Sequence, residues 1–168
     1  MDTHESRNEH GGTPAQRLDA VAAAIASHRE RPGALLPILH EIQDAVGWIP
    51  ADAVPRIAHA LSLSRAEVHG VLTFYQDFRR EPPGRHVVQV CRAEACQACG
   101  SDTLYAQASR LLDCPQDETR ADGAVTLEAA YCLGLCAAAP SLRIDGRLHA
   151  RVTPEGLGAL LATLGDRR

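Results

Sequence analysis

Two hydrophobic periods divide this chain. From Thr13 to about Gln76 the apolar positions recur every three to four residues. Leu18, Val21, Ala22 and Ile25 stand at i, i+3, i+4 and i+7, one face of a helix. Thr13-Pro14-Ala15-Gln16 supplies its start, since Thr13 can cap, Pro14 suits the first helical position and Gln16 completes a capping box. Arg31-Pro32-Gly33 breaks this segment and leads to a second helix carrying Leu35, Ile38, Leu39, Ile42 and Val46, with Gly47 as its stop. A third carries Val54, Ile57, Ala58 and Leu61, with Pro55 in its first turn. Ser64-Arg65-Ala66-Glu67 is another capping box and opens a fourth helix through Val68, Val71, Leu72 and Tyr75. None of these short amphipathic helices can bury its stripe alone, so a small bundle over residues 13–80 is expected.

Glu81-Pro82-Pro83-Gly84 interrupts the pattern, and a second domain over residues 84–168 is expected beyond it. His86 to Val90 reads as a buried strand running into Cys91. A helix should begin near Ser101, with Leu104, Ala108, Leu111 and Leu112 inward. Val125, Leu127, Ala129 and Tyr131 alternate as a strand that delivers Cys132. Leu142 to Ile144, Asp145-Gly146, then Arg147 to Val152 is a hairpin with a favoured turn. Thr153-Pro154 starts a last helix with Leu157, Leu160, Leu161 and Leu164 on one face. The order β-α-β-β-β-α implies a compact α/β domain with a mixed sheet. The polar residues 1–12 read as a disordered start.

Charge and composition narrow the function classes. The net charge of −4 offers no basic field for nucleic acid. No apolar run approaches the roughly 20 residues that cross a bilayer, so no membrane insertion is expected. The N-terminus lacks a secretory pattern, which makes a cytoplasmic location the default expectation. No G-x-G-x-x-G or P-loop stretch is present, and no Ser/His/Asp or Cys/His arrangement stands out for nucleophilic catalysis.

Six cysteines are the exception to this bland composition. In a compartment that keeps thiols reduced, they point to metal ligation or redox chemistry rather than disulfides. Cys91, Cys96 and Cys99 fall close together, as do Cys132 and Cys136, while Cys114 stands alone and reads as a partly buried structural thiol. Both groups follow expected strands, in loops. Two irons bridged by two sulfides need two thiolates each, and two such cysteine pairs meet that need. Gly134 permits a tight wrap around a sulfide. Leu133, Leu135 and Ala137 to Ala139 supply a dry wall. Three other readings compete with this one. The cysteines could be buried apolar thiols. Cys96, Cys99, Cys132 and Cys136 could hold structural zinc. Cys96 and Cys99 could form a redox dithiol. Rieske ligation is disfavoured, because neither His86 nor His149 sits beside a cysteine. The histidines read as solvent-facing or capping groups and Trp48 and Phe74-Tyr75 as core; the bond to Pro140 could be cis, but base rates favour trans.

A resemblance sharpens the choice. His69-Gly70-Val71-Leu72-Thr73-Phe74-Tyr75, the strand into Cys91, the C-x4-C and C-x3-C pairs, and Cys136-Ala137-Ala138-Ala139-Pro140 together resemble the thioredoxin-like [2Fe-2S] ferredoxin family. That family includes the 24-kDa subunit of complex I and small subunits of NAD-linked hydrogenases and formate dehydrogenases. The resemblance covers about Thr13 to Val152. It implies a helical bundle followed by a thioredoxin-like domain, and one [2Fe-2S] cluster with Cys91 and Cys96 on one iron and Cys132 and Cys136 on the other. Cys99 departs from the family pattern. Cys91 to Ala98 looks most like the gamma subunit of soluble NAD-dependent formate dehydrogenases. The function then implied is that of a non-catalytic electron-transfer subunit. Its partners would be a flavin- and NAD-binding subunit and a larger iron–sulfur subunit where formate is oxidised at molybdenum or tungsten. The equivalent place in complex I or in a hydrogenase is the alternative.

Overall fold

In a computed structural model, which describes residues 12–165, the chain divides into two compact units, one ending at Pro82 and the next beginning at Pro83. The expected disordered start, residues 1–12, lies outside the described residues save for Gly12.

The first unit is helical. Helix α1 (Pro14–His28) opens as its sequence demands: the Gln16 amide donates to Thr13 Oγ1 at 3.3 Å and the Thr13 amide donates to Gln16 Oε1 at 2.7 Å. Helix α2 (Leu35–Val46) stops at Gly47, whose φ of +90° suits a residue without Cβ. Helix α3 (Ala53–Ala60) is short. Helix α4 (Arg65–Phe74) is opened by the Ser64–Glu67 box. Val21, Ala24, Ile38, Leu39, Ile42, Ile57 and Val68 form one core drawn from all four.

Three expectations fail here. The inward face of α1 includes Ala24, while Ala22 is exposed. Both are alanines at the margin of the same stripe, and only the neighbouring helices choose between them. Phe74 is 77 % and Tyr75 43 % exposed rather than core. They lie at the end of α4, past the inward Val68 and Leu72, and stack edge to face at 5.1 Å. Trp48 is half-buried against the core. Nor are all histidines merely solvent-facing: His28 pairs with Glu41 at 2.6 Å.

The second unit is a mixed five-stranded sheet in the order β2-β3-β1-β4-β5. Strand β1 (His86–Cys91) is followed by a short helix α5 (Glu94–Ala98) and by α6 (Ser101–Leu112). Strands β2 (Glu118–Thr119) and β3 (Val125–Ala130), a 3-10 turn at Cys136–Ala138, strands β4 (Leu142–Ile144) and β5 (Arg147–His149), and α7 (Pro154–Gly165) complete it. Strand β1 pairs parallel with β3 and antiparallel with β4. Val88, Val90, Leu127, Leu142 and Ile144 pack against Leu104, Tyr105, Ala108 and Leu112 of α6 and Leu157 and Leu161 of α7. The residues alternating with them include buried Gln89 and Thr126, and Gln89 donates to Glu128 at 2.5 Å and accepts from the Arg143 guanidinium. The hairpin turn has Asp145 at φ +48° and Gly146 at φ +80°, the pair of left-handed residues that a two-residue turn requires.

Several local expectations are corrected. Val125, Thr126 and Leu127 are all buried, so β3 does not alternate. Its Thr126 face is covered where Gly84 approaches, and a Cβ on Gly84 would lie 2.8 Å from the Val125 backbone. Tyr131 falls beyond the strand and is 64 % exposed, and Leu111 is 53 % exposed at the far edge of α6. Strand β5 ends at His149 rather than Val152. Helix α5 and strand β2, too short to show a period, have no counterpart among the elements expected from the sequence.

Candidate metal centre

Parallel pairing places the site. Because β1 and β3 run the same way with Cys91 opposite Ala130, both strands release their loops at one edge of the sheet. The carboxyl ends of parallel strands are where open α/β sheets hold ligands. Arg92 N–H donates to Ala130 O at 2.7 Å and Cys91 N–H to Ser141 O at 3.0 Å, so the exits of β1, β3 and the approach to β4 are tied together.

Each expected ligand can now be placed. Cys91 ends β1 and is buried. Cys96 is also buried, but it sits within α5 and not in the loop expected for it. Cys132 and Cys136 lie in the exposed segment between β3 and β4, their sulfurs 3.8 Å apart. Cys132 has φ +90°, a left-handed conformation that side chains rarely adopt, and Gly134 follows at φ +79°. The bond from Ala139 to Pro140 is cis, contrary to expectation.

Electrostatics link the four thiols. Burial alone pushes Cys91 up. The backbone amides of Ala93, Leu133 and Cys132 and the Cys96 thiol outweigh it, and the net direction is down. Cys96 is held up, by burial first and by competition with Cys91, while Ser141 opposes the shift. Cys136 is held up by its hydrogen bond to Cys132 and then by the nearby charge of Cys132, Cys96 and Cys91. Sulfur from both cysteine pairs therefore shares one local field.

This donor set fits a two-iron cluster. The four thiols stand as two pairs, with amide N–H groups aimed at Cys91 and open space around Gly134 where a Cβ would meet nothing within 4 Å. Among the described residues, no three His, Cys, Asp or Glu side chains close around a single ion. The zinc set would need Cys99, which is exposed and whose side chain makes no hydrogen bond, and would omit buried Cys91. Cys114 is buried apart from the others, its thiol donating to Glu118 O at 3.4 Å. The rim carries a charged cluster: Arg92 donates to Asp102 at 3.0 Å, Gln97 donates to the same carboxylate, and the guanidinium lies 5.3 Å from the Tyr105 ring centre. The Asp102 carboxyl is lowered by Gln97 and then Arg92. Sequence reasoning missed Ser141, which has no periodic or motif signal and becomes visible only through its place beside Cys96.

Residues 21–165 match the thioredoxin-like [2Fe-2S] ferredoxin family, and this chain belongs to it. The cofactor of that family is one [2Fe-2S] cluster. The chain is similar to a subunit of the NADH-quinone oxidoreductase of Pseudomonas aeruginosa, 37 % identical over 80 % of this chain and 81 % of the relative. The corresponding protein of Escherichia coli K12, also an NADH-quinone oxidoreductase subunit, is 36 % identical over 88 % and 89 %. Among solved structures, an NAD+-reducing [NiFe]-hydrogenase in the H2-reduced state shares the fold with a TM-score of 0.67 at 23 % identity. That match covers 80 % of this chain but only 22 % of the hydrogenase chain.

Proposed function

We propose that the chain holds its cluster with Cys91 and Cys96 on one iron and Cys132 and Cys136 on the other, and that it relays electrons within a multi-subunit NAD-dependent oxidoreductase. The convergence of two cysteine pairs at the carboxyl edge of the parallel strands carries this reading. Such a cluster accepts and releases one electron at a time. The chain's own residues hold the sulfurs, donate amide hydrogen bonds to them, and keep the Cys91–Cys96 side dry. They supply no catalytic acid or base. Substrate chemistry belongs to partners: a flavin subunit that reduces NAD+ and a larger iron–sulfur subunit bearing molybdenum or tungsten.

The particular complex we infer is a cytoplasmic NAD-dependent formate dehydrogenase, on the likeness of Cys91 to Ala98 to its gamma subunit. No helix among the described residues is long and apolar enough to cross a membrane. A second reading, a place in NADH-quinone oxidoreductase, is favoured by the 37 % identity to a component of that complex. Purifying the tagged chain with its native partners separates the two. Formate-dependent reduction of NAD+ by the assembly is the expected result. NADH-dependent quinone reduction without formate activity would overturn it.

A further inference from the structure

We propose that Ser141 is a positioning residue that raises the reduction potential of the centre by donating a hydrogen bond to Cys96 Sγ. This rests on the reading of Cys96 as an iron ligand. Ser141 is 1 % exposed, its Oγ lies 3.6 Å from Cys96 Sγ, and that is the side chain's one hydrogen bond. The residue cannot drift. Its carbonyl accepts from Cys91 N–H at 3.0 Å, Val152 N–H donates to Pro140 O at 3.0 Å, and β4 begins at the next residue.

The direction of the effect follows from chemistry. A thiol carries a proton and either partner could donate. A thiolate bound to iron has none, so the hydroxyl must be the donor. With four thiolates the centre goes from a formal charge of −2 to −3 on reduction, and a donor at sulfur stabilises the more negative state more. Water can supply such donors at exposed Cys132 and Cys136. At buried Cys96 it cannot, and the serine stands in its place.

Ser141→Ala in the full-length chain tests this by redox titration followed by electron paramagnetic resonance, with iron and acid-labile sulfide measured alongside. The expected result is full cluster content with the one-electron reduction equilibrium shifted about tenfold toward the oxidised form, about 59 mV. Ser141→Thr, which keeps the hydroxyl, should restore the wild-type potential. An unchanged potential in Ser141→Ala at full iron content overturns the inference. Loss of the cluster in that variant does so too, since the hydroxyl would then be structural. Failure of the ligand reading looks different: Cys96→Ala would keep the wild-type spectrum whatever Ser141→Ala does.

Discussion

The two halves of the cysteine set are built in opposite ways. Cys91 and Cys96 are each 2 % exposed and sit on regular structure, the last residue of β1 and the middle of α5. Cys132 and Cys136 are exposed, the first on irregular backbone with left-handed residues at 132 and 134 and the second at the start of a short 3-10 turn. The first half is held by the sheet and its hydrogen-bond ladder. The second rests on two left-handed residues and a 3-10 turn, so a buried wall faces an exposed loop. With the ligands proposed above, cofactor retention would depend on loop order on one side and on core packing on the other.

The largest effect should come from the exposed half. Cys132→Ser or Cys136→Ser is expected to abolish the visible absorption of the cluster and to lower the melting temperature of the C-terminal unit, because the thiolates lose their shared centre. Absorbance and calorimetry on the two variants check this. Retained colour in either would mean that the loop is not a ligand segment. Next in size is iron removal by chelation under reducing conditions. Hydrogen exchange should then rise sharply at amides from Cys132 to Ala138, while β1 and β3 amides, inside a parallel ladder, stay protected. Equal loss in both halves would erase the contrast.

Cys99→Ala is expected to leave the spectrum unchanged and stability within about 0.5 kcal/mol, as for other exposed positions without a partner. If the colour vanishes with Cys99 and survives loss of Cys96, the wall has been assigned to the wrong thiol. The smallest effect lies outside both halves, in the turn before β3. Asp122 accepts two bonds from Arg120 and one from Ala124 N–H, and these hold its carboxyl down to about 2. A lowered folded-state pKa stabilises above the unfolded value of 3.8 and is lost as pH falls toward 2. The stability gap between wild type and Asp122→Asn should be small and flat above about pH 5, narrowing as acid protonates Asp122. A gap that widened on acidification would contradict the assignment.

Periodicity carried much of the fold. The capping boxes at Thr13 and Ser64, the Gly47 stop and the Asp145-Gly146 turn are local devices whose chemistry acts within four residues, so they can be read without any partner. The elements that escaped notice are those that neighbours impose. Helix α5 has five residues and β2 has two, and neither shows a period. Burial of Thr126 depends on Gly84, 42 positions away in the chain. The exposure of Leu111 depends on where α7 lies, and Phe74 on where α4 ends.

The four cysteines and their spacing are properties of the sequence alone, and so are the cofactor class they suggest and the mixed α/β architecture around them. Which pair is buried, which amides reach Cys91, and that Ser141 stands beside Cys96 are decided by tertiary structure. Covalent spacing limits how far apart two sulfurs can be. Only the parallel register of β1 against β3, formed between residues nearly forty positions apart, decides which groups surround them.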